Sequence, residues 1–252
     1  DKSYHLHKMY LDIENDLMAD GNPKSFVGFP EPADAPCPIS LITIIDEKYK
    51  EIHTYILRNP LNTKLVEFEQ NDKLKFMNEV HKEILKDSDG RIDLTIALHF
   101  CDTEIELIEQ CFRKIHELDP DICGIWNNSF DIPTIQNRLI KLYKQRDRLN
   151  DLDAAAKATN VLCNLDYALQ KTSTGKDMYF SPKASFREGT GVPSSGRKWN
   201  TFNVLDGTYW VDQLLLYVAT HISGGKLDSY KLDNVAEVEV GKVYTGIANF
   251  PD

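Results

Sequence analysis

Residues 120–133 read PDICGIWNNSFDIP, and the way this stretch folds decides the architecture of the chain. Ile122 to Trp126 is a short apolar run that predicts a buried strand. Pro133 marks where a helix can begin, because the N–H that proline lacks has no partner in a first turn anyway. Strand, loop and helix therefore meet at Asp131. A carboxylate at the carboxyl end of a sheet strand sits where α/β folds usually place their ligands. N-capping of the helix is an equally good chemical role for Asp131, and the two are compatible. Asn127 has two readings of equal weight, a structural turn and a hydrogen-bond donor to a neighbouring carboxylate or a substrate.

Working outward, Thr103 with Glu106 has the capping-box pattern, and Ile105, Leu107, Ile108, Phe112 and Ile115 supply the buried face of a helix that Pro120 follows. Ile92 to Phe100 alternates as a strand, and Leu74, Met77, Val80 and Ile84 show helical spacing within residues 72–85. Residues 39–45 and 51–57 are rich in β-branched side chains and flank a polar turn at 46–50, which predicts a hairpin. Residues 8–13 (KMYLDI) predict a further strand, and five prolines between residues 20 and 38 predict a loop. Downstream, Ile135, Leu139, Ile140 and Tyr143 continue the helix beyond Asp131. Residues 154–169 predict another helix, residues 204–217 a strand running into a helix, and residues 229–238 a last helix. Strands first, then alternating helix and strand, imply an α/β fold with a mixed sheet flanked by helices.

The 252 residues are 42% apolar, enough for one core and therefore for a single domain over residues 1–252. Five cysteines form no CxxC pair, which points to a reducing compartment and away from a disulfide or zinc framework. No apolar run reaches the roughly 18 residues that a membrane helix needs, so no membrane partner is expected. The net charge of −10 argues against adhesion to nucleic acid over the whole surface. One segment opposes that balance. Within residues 171–200, Lys171, Lys176, Lys183, Arg187, Arg197 and Lys198 face only Asp177 and Glu188. This basic insertion is either a mobile surface loop or a strand-contacting hairpin.

Asp12-Ile13-Glu14 ends the first apolar run, and period-two alternation puts both carboxylates on one face of a strand, where they can share a metal ion. Alone the pair is a weak signal. Asp102-Thr103-Glu104 has the same pattern and is better explained as a helix start.

Together these residues resemble the 3′–5′ exonuclease domain of family B DNA polymerases. Asp12-Ile13-Glu14 is similar to the family's first exonuclease motif, and Asn127 followed by Phe130-Asp131 to its second. Phe29-Pro30-Glu31-Pro32 through Ile39 resembles the segment after the first motif in T4-like phage polymerases. Residues 102–138 and 228–242 extend the likeness to nearly the whole chain outside the basic insertion. The resemblance implies a ribonuclease H-like fold and two-ion hydrolysis with Mg2+ or Mn2+. It implies Asp12 bridging the ions, Glu14 holding the ion of the attacking water, and Asp131 serving the second ion directly or through water. Hard oxygen donors suit those ions, and the lack of clustered His and Cys speaks against zinc. Asn127, Phe130 and Phe29 are the candidate contacts to the substrate, with Trp126 better placed in the core. The implied partners are a single-stranded DNA 3′ end, the remainder of a polymerase and, through the full-length protein, a replisome clamp. The implied location is the cytoplasm of an infected bacterial host.

The chain departs from the family at the third motif, a Tyr followed four positions later by Asp. Tyr209 with Asp212 and Tyr230 with Asp233 are each one residue short. Asp212 therefore reads as a structural or supporting acid. The fourth carboxylate is expected beyond residue 252, in a longer protein, which would leave these residues weakly active or inactive alone. None of the family's polymerase signatures is present. Two other readings stay open: a stand-alone DEDD nuclease acting on DNA or RNA, and a non-catalytic domain binding nucleic acid or a polymerase partner.

Overall fold

The computed structural model describes residues 5–18, 22, 24–59, 62–87, 90, 93–165, 174–176, 183–190, 198–221, 227 and 229–240. Among them a six-stranded sheet is built from β1 (Lys8–Asn15), β2 (Ile39–Asp46), β3 (Glu51–Leu57), β4 (Thr95–Cys101), β5 (Ile122–Ile125) and β8 (Tyr209–Asp212), in the order β4-β3-β2-β1-β5-β8. β1, β2 and β3 form an antiparallel meander, and β4 runs parallel to β3. On the other side, β5 runs parallel to β1, and β8 parallel to β5. This is the mixed, ribonuclease H-like sheet that the sequence implied.

The core follows from alternation along β1. Met9, Leu11 and Ile13 are buried, while Tyr10, Asp12 and Glu14 turn to the opposite face. Ile42 and Ile44 on β2 and Cys123 and Ile125 on β5 join the buried set. Helix α3 (Glu104–Leu118) covers it with Ile105, Leu107, Ile108, Phe112 and Ile115. Its start is as the sequence predicts. Thr103 accepts from Glu106 N, and the Glu106 carboxylate reaches back to the N–H of Asp102. α4 (Asn128–Asp147) and α5 (Asp151–Leu162) complete this layer through Ile132, Ile135, Leu139, Tyr143, Ala154, Ala158 and Leu162. All five cysteines are buried, and none forms a disulfide. No described helix is long and apolar enough to cross a membrane.

On the polar face, α6 (Gln213–Thr220) starts directly from β8. Gly124 lets it approach: a Cβ there would lie 2.4 Å from Gln213 Nε2 and 3.0 Å from Tyr10 Cδ1. α7 (Leu232–Val240) ends the described chain.

Several boundaries differ from expectation. The predicted helix at 72–85 is the second half of a longer one, in which α1 (Thr63–Glu67) passes through a π turn (Phe68–Asp72) into α2 (Lys73–Asp87). The π turn shifts the phase of the buried face, so periodicity read from Leu74 onward does not extend back. α4 begins at Asn128 and not at Pro133, because the Asn127 carbonyl already accepts from the N–H groups of Phe130 and Asp131 at 2.9 and 3.1 Å. Asp131 thus lies within the first turns and does not cap the helix. α5 ends at Leu162, and residues 166–169 of its predicted extension are outside the described residues. The strand predicted from residue 204 is two: β7 (Thr201–Val204) and β8. β7 pairs antiparallel with β6 (Ala184–Arg187), so residues 184–187 of the basic insertion form a strand against the chain that follows it. Lys171, Asp177 and Arg197 lie outside the described residues.

Candidate active site

The three parallel strands bring their carboxyl ends together. Leu11 is in register with Ile125, and Ile125 with Asp212. Asp12 and Glu14 continue β1 past that row, Asp212 terminates β8, and Asp131 enters from the start of α4, which follows β5. This is the edge where open α/β sheets carry their ligands.

The acids sense one another. Asp131 is only 5% exposed. Burial pushes its carboxyl well above the usual range, and the charges of Asp12, Asp212 and Glu14 raise it further; a hydrogen bond from the Asn127 backbone offsets part of this. Water reaches Asp12 and Glu14. Even so, the surrounding protein density raises both, and Asp12 adds to the shift of Glu14. Asp212 is raised by burial and restrained by hydrogen bonds from Leu215 N and Asn200 Nδ2 and by the charge of Lys198. Four carboxylates, each held above the usual range, are a site that a cation or a proton must balance.

The donor chemistry fits a divalent cation of the Mg2+ or Mn2+ type, being all oxygen. Among the described residues no three acidic, His or Cys side chains already form a cage around one point. A Mg2+ or Mn2+ ion also takes waters and phosphate oxygens into its shell. Asp12, Glu14 and Asp131 are the residues that would hold it.

Asn127 stands at the N-cap of α4 but makes no capping bond; its Oδ1 accepts from the Ser129 hydroxyl at 2.8 Å. Asn128 is fully buried, and neither polar atom of its side chain has a partner. Phe29, 78% exposed, meets the Phe130 ring at 4.9 Å. Trp126, expected in the core, is half-buried, with its ring 6.2 Å from that of Tyr217 on α6.

The loop that presents Phe29 is held by the first helical turns beyond Asp131. Asn137 Nδ2 donates to Pro32 O at 2.9 Å, and Arg138 Nη1 to Ala35 O at 3.0 Å. Arg138 Nε donates to Glu104 Oε1 at 2.7 Å, and Ile39 N donates to the same oxygen at 2.8 Å. One buried ion pair so joins the loop, the start of β2 and two helices. In the sequence Arg138 read only as the end of the stretch that resembles the family, and Glu104 only as a helix-start acid.

Tyr209 and Asp212 are adjacent to the site through β8, with Tyr209 exposed and Asp212 buried. The side chain of Asp233 is outside the described residues, as is Asp228. A cavity of about 450 Å3 lined by Arg113, His116, Asn160 and Cys163 lies between α3 and α5 and contains none of the four acids.

Comparison with curated proteins yields no match. The family model for the exonuclease domain of family B DNA polymerases matches residues 10–180, well over half of the chain and inclusive of Asp12, Glu14 and Asp131; the chain belongs to that family.

Proposed function

We propose that this chain is a 3′–5′ proofreading exonuclease domain that removes 3′-terminal nucleotides from single-stranded DNA in a polymerase of the T4-like type. The observation that carries the reading is the convergence of Asp12, Glu14 and Asp131 at one sheet edge, each with its affinity for positive charge raised. Divalent cations bound there would activate a water, neutralise the scissile phosphate and stabilise the leaving 3′ oxygen. The chain's own residues hold and orient. Asp12 and Glu14, on one face of β1, set the open side of the site, and Asp131 fixes its buried side. Phe29 and Phe130 offer a stacking surface for an unpaired terminal base. Asn127 presents its amide NH2 beside the phosphate path. The strand is drawn in locally, by the hairpin that carries Arg187 and Lys198, against an overall charge of −10. The polymerase supplies the frayed end, and a clamp engages through the remainder of that protein.

The family's third motif has no full match, so a fourth carboxylate from sequence outside these residues is expected to raise the activity. The test is digestion of 5′-labelled single-stranded DNA in Mg2+ or Mn2+, by this chain and by a version extended through the next Tyr-to-Asp motif. Shortening from the 3′ end with release of nucleoside 5′-monophosphates is the expected result, strongest in the extended protein. Intact DNA with both proteins would overturn the reading in favour of a binding domain, and preferential cleavage of RNA would favour the stand-alone nuclease.

A further inference from the structure

The exposed apolar surface beside the acid cluster extends past Phe29. Leu17, Phe26, Val27 and Phe29 all belong to the loop that leaves β1 after Asn15, and all four are open to solvent. A lone exposed apolar side chain is ordinary, but four on one short loop call for a partner. Phe26 is 67% exposed, so its ring gains little from folding.

Three contacts give this part of the loop a definite shape. Met18 and Phe26 form an antiparallel bridge, and Val27 N donates to Leu17 O at 2.9 Å, so the outgoing and returning arms run side by side from the end of β1. Asn22 Oδ1 accepts from Lys24 N at 3.1 Å, which fixes the turn before Phe26. Gly28 then turns the chain at φ +75°, a conformation that suits glycine, and a Cβ there would lie 3.9 Å from Phe26 Cε1. The Phe26 ring therefore lies along the turn that presents Phe29. Phe29 in turn meets Phe130, the neighbour of Asp131, so the exposed surface is continuous with the edge that carries the acids.

The chemistry of this surface suits a single strand. Residues 24–29 read KSFVGF, with Lys24 exposed two positions before Phe26 and Phe29 across the turn. A cation for the phosphates and aromatic faces for successive bases are what single-stranded nucleic acid takes. Three residues of chain span at most about 11 Å, and a stacked strand rises ~3.4 Å per nucleotide. A strand whose last base lies on Phe29 therefore brings Phe26 to a base no more than about three nucleotides further in.

We propose that Phe26 is a second stacking residue, which takes a base one to three positions inward while Phe29 takes the last, so that the grip on the strand extends beyond its terminal base. The proposal rests on the exonuclease reading for the identity of the substrate.

The test measures binding of a 5′-labelled oligothymidylate to the 252-residue chain by fluorescence anisotropy, with Ca2+ in place of Mg2+, and repeats it with a single abasic site at each of the last four positions. In the parent, loss of the last base and loss of one base further in should each weaken binding about tenfold, within what a stacked base contributes. Phe26→Ala should weaken binding of the intact strand by about the same factor and make it indifferent to the inner abasic site, while still sensitive to the terminal one. Phe29→Ala should show the reverse. Coupling between one side chain and one base reports their contact, which a general loss of fold does not imitate. Phe26→Trp should keep the coupling, and Phe26→Leu, apolar without a ring face, should lose it. A Phe26→Ala chain that binds the intact strand as the parent does, or that stays as sensitive as the parent to every abasic site, would overturn the proposal and leave the exonuclease reading standing. A parent chain that binds no oligothymidylate would overturn both.

Discussion

The rings of Phe29 and Phe130 lie 4.9 Å apart, centroid to centroid, with their planes inclined by 38°. One comes from the loop after β1 and the other from the first turn of α4, beside Asp131. An aromatic residue left 78% exposed contributes little to folding, which frees it for a base. Base stacking on an aromatic side chain is worth about 1–3 kcal/mol. Phe29→Ala is therefore expected to raise KM for single-stranded 3′ ends about tenfold while leaving kcat and the thermal midpoint nearly unchanged. Steady-state kinetics on an unpaired 3′ end check this; an unchanged KM would remove Phe29 from the substrate path.

The Arg138–Glu104 pair is buried at both ends and holds backbone groups of the 29–39 segment as well as each other. Removing one partner strands the other charge in the interior, a loss of about 3–5 kcal/mol. Urea unfolding of Arg138→Ala should show that loss. Arg138→Lys should recover only part of it, because an ammonium cannot reproduce the planar fork that reaches Glu104 and Ala35 together.

Asp206 gives the fold a pH dependence of its own. It is buried and accepts from Thr208 N and Trp210 Nε1, yet burial pushes its carboxyl up from 3.8 to about 7. The folded chain then holds a proton that the unfolded chain has released, so this group's contribution is full below pH 3.8 and is lost as pH rises through about 7. Thermal midpoints of the parent and Asp206→Asn should converge or favour the parent at low pH, and shift in favour of the variant as pH rises from 5 to 8. A midpoint difference independent of pH would contradict this.

Gly124 lies on β5 between β1 and β8, with the Gln213 side chain against it. Gly124→Ala is expected to displace Gln213 and cost about 1–3 kcal/mol in chemical denaturation, the range for overpacking a filled interior. No loss would mean that Gln213 swings clear at no cost.

Most of the frame was legible in the sequence because its signals are local. The alternation in KMYLDI, the β-branched hairpin and the Thr103–Glu106 box each report on a few adjacent residues, and each lies where it was expected. The misplaced start of α4 shows the limit. Proline is admissible at a helix start, but here the Asn127 carbonyl closes a turn earlier, and Pro133 simply fails to supply the N–H that the Ser129 carbonyl would otherwise accept. Asp12, Glu14 and Asp131 could be proposed from type and position, and the fold brings them to one sheet edge. The partner of Asp212 could not: Asn200 is an ordinary polar residue in sequence, and only the folding of the β6–β7 hairpin beside β8 brings it to that carboxylate. Arg138 is the same case, since its partner Glu104 is 34 residues away.

The account turns on Asp12, Glu14 and Asp131 forming one site for divalent cations. The most direct measurement is the thermal midpoint of the metal-free chain with and without Mn2+, for the parent, Asp12→Ala and Asp131→Asn. Neutralising the cluster by cation or by substitution relieves the same repulsion, so Mn2+ should raise the midpoint of the parent by several degrees. Asp131→Asn should already melt higher than the metal-free parent at pH 8, and neither variant should respond fully to Mn2+. A parent that ignores Mn2+, or an Asp12→Ala variant that responds as the parent does, would contradict the account.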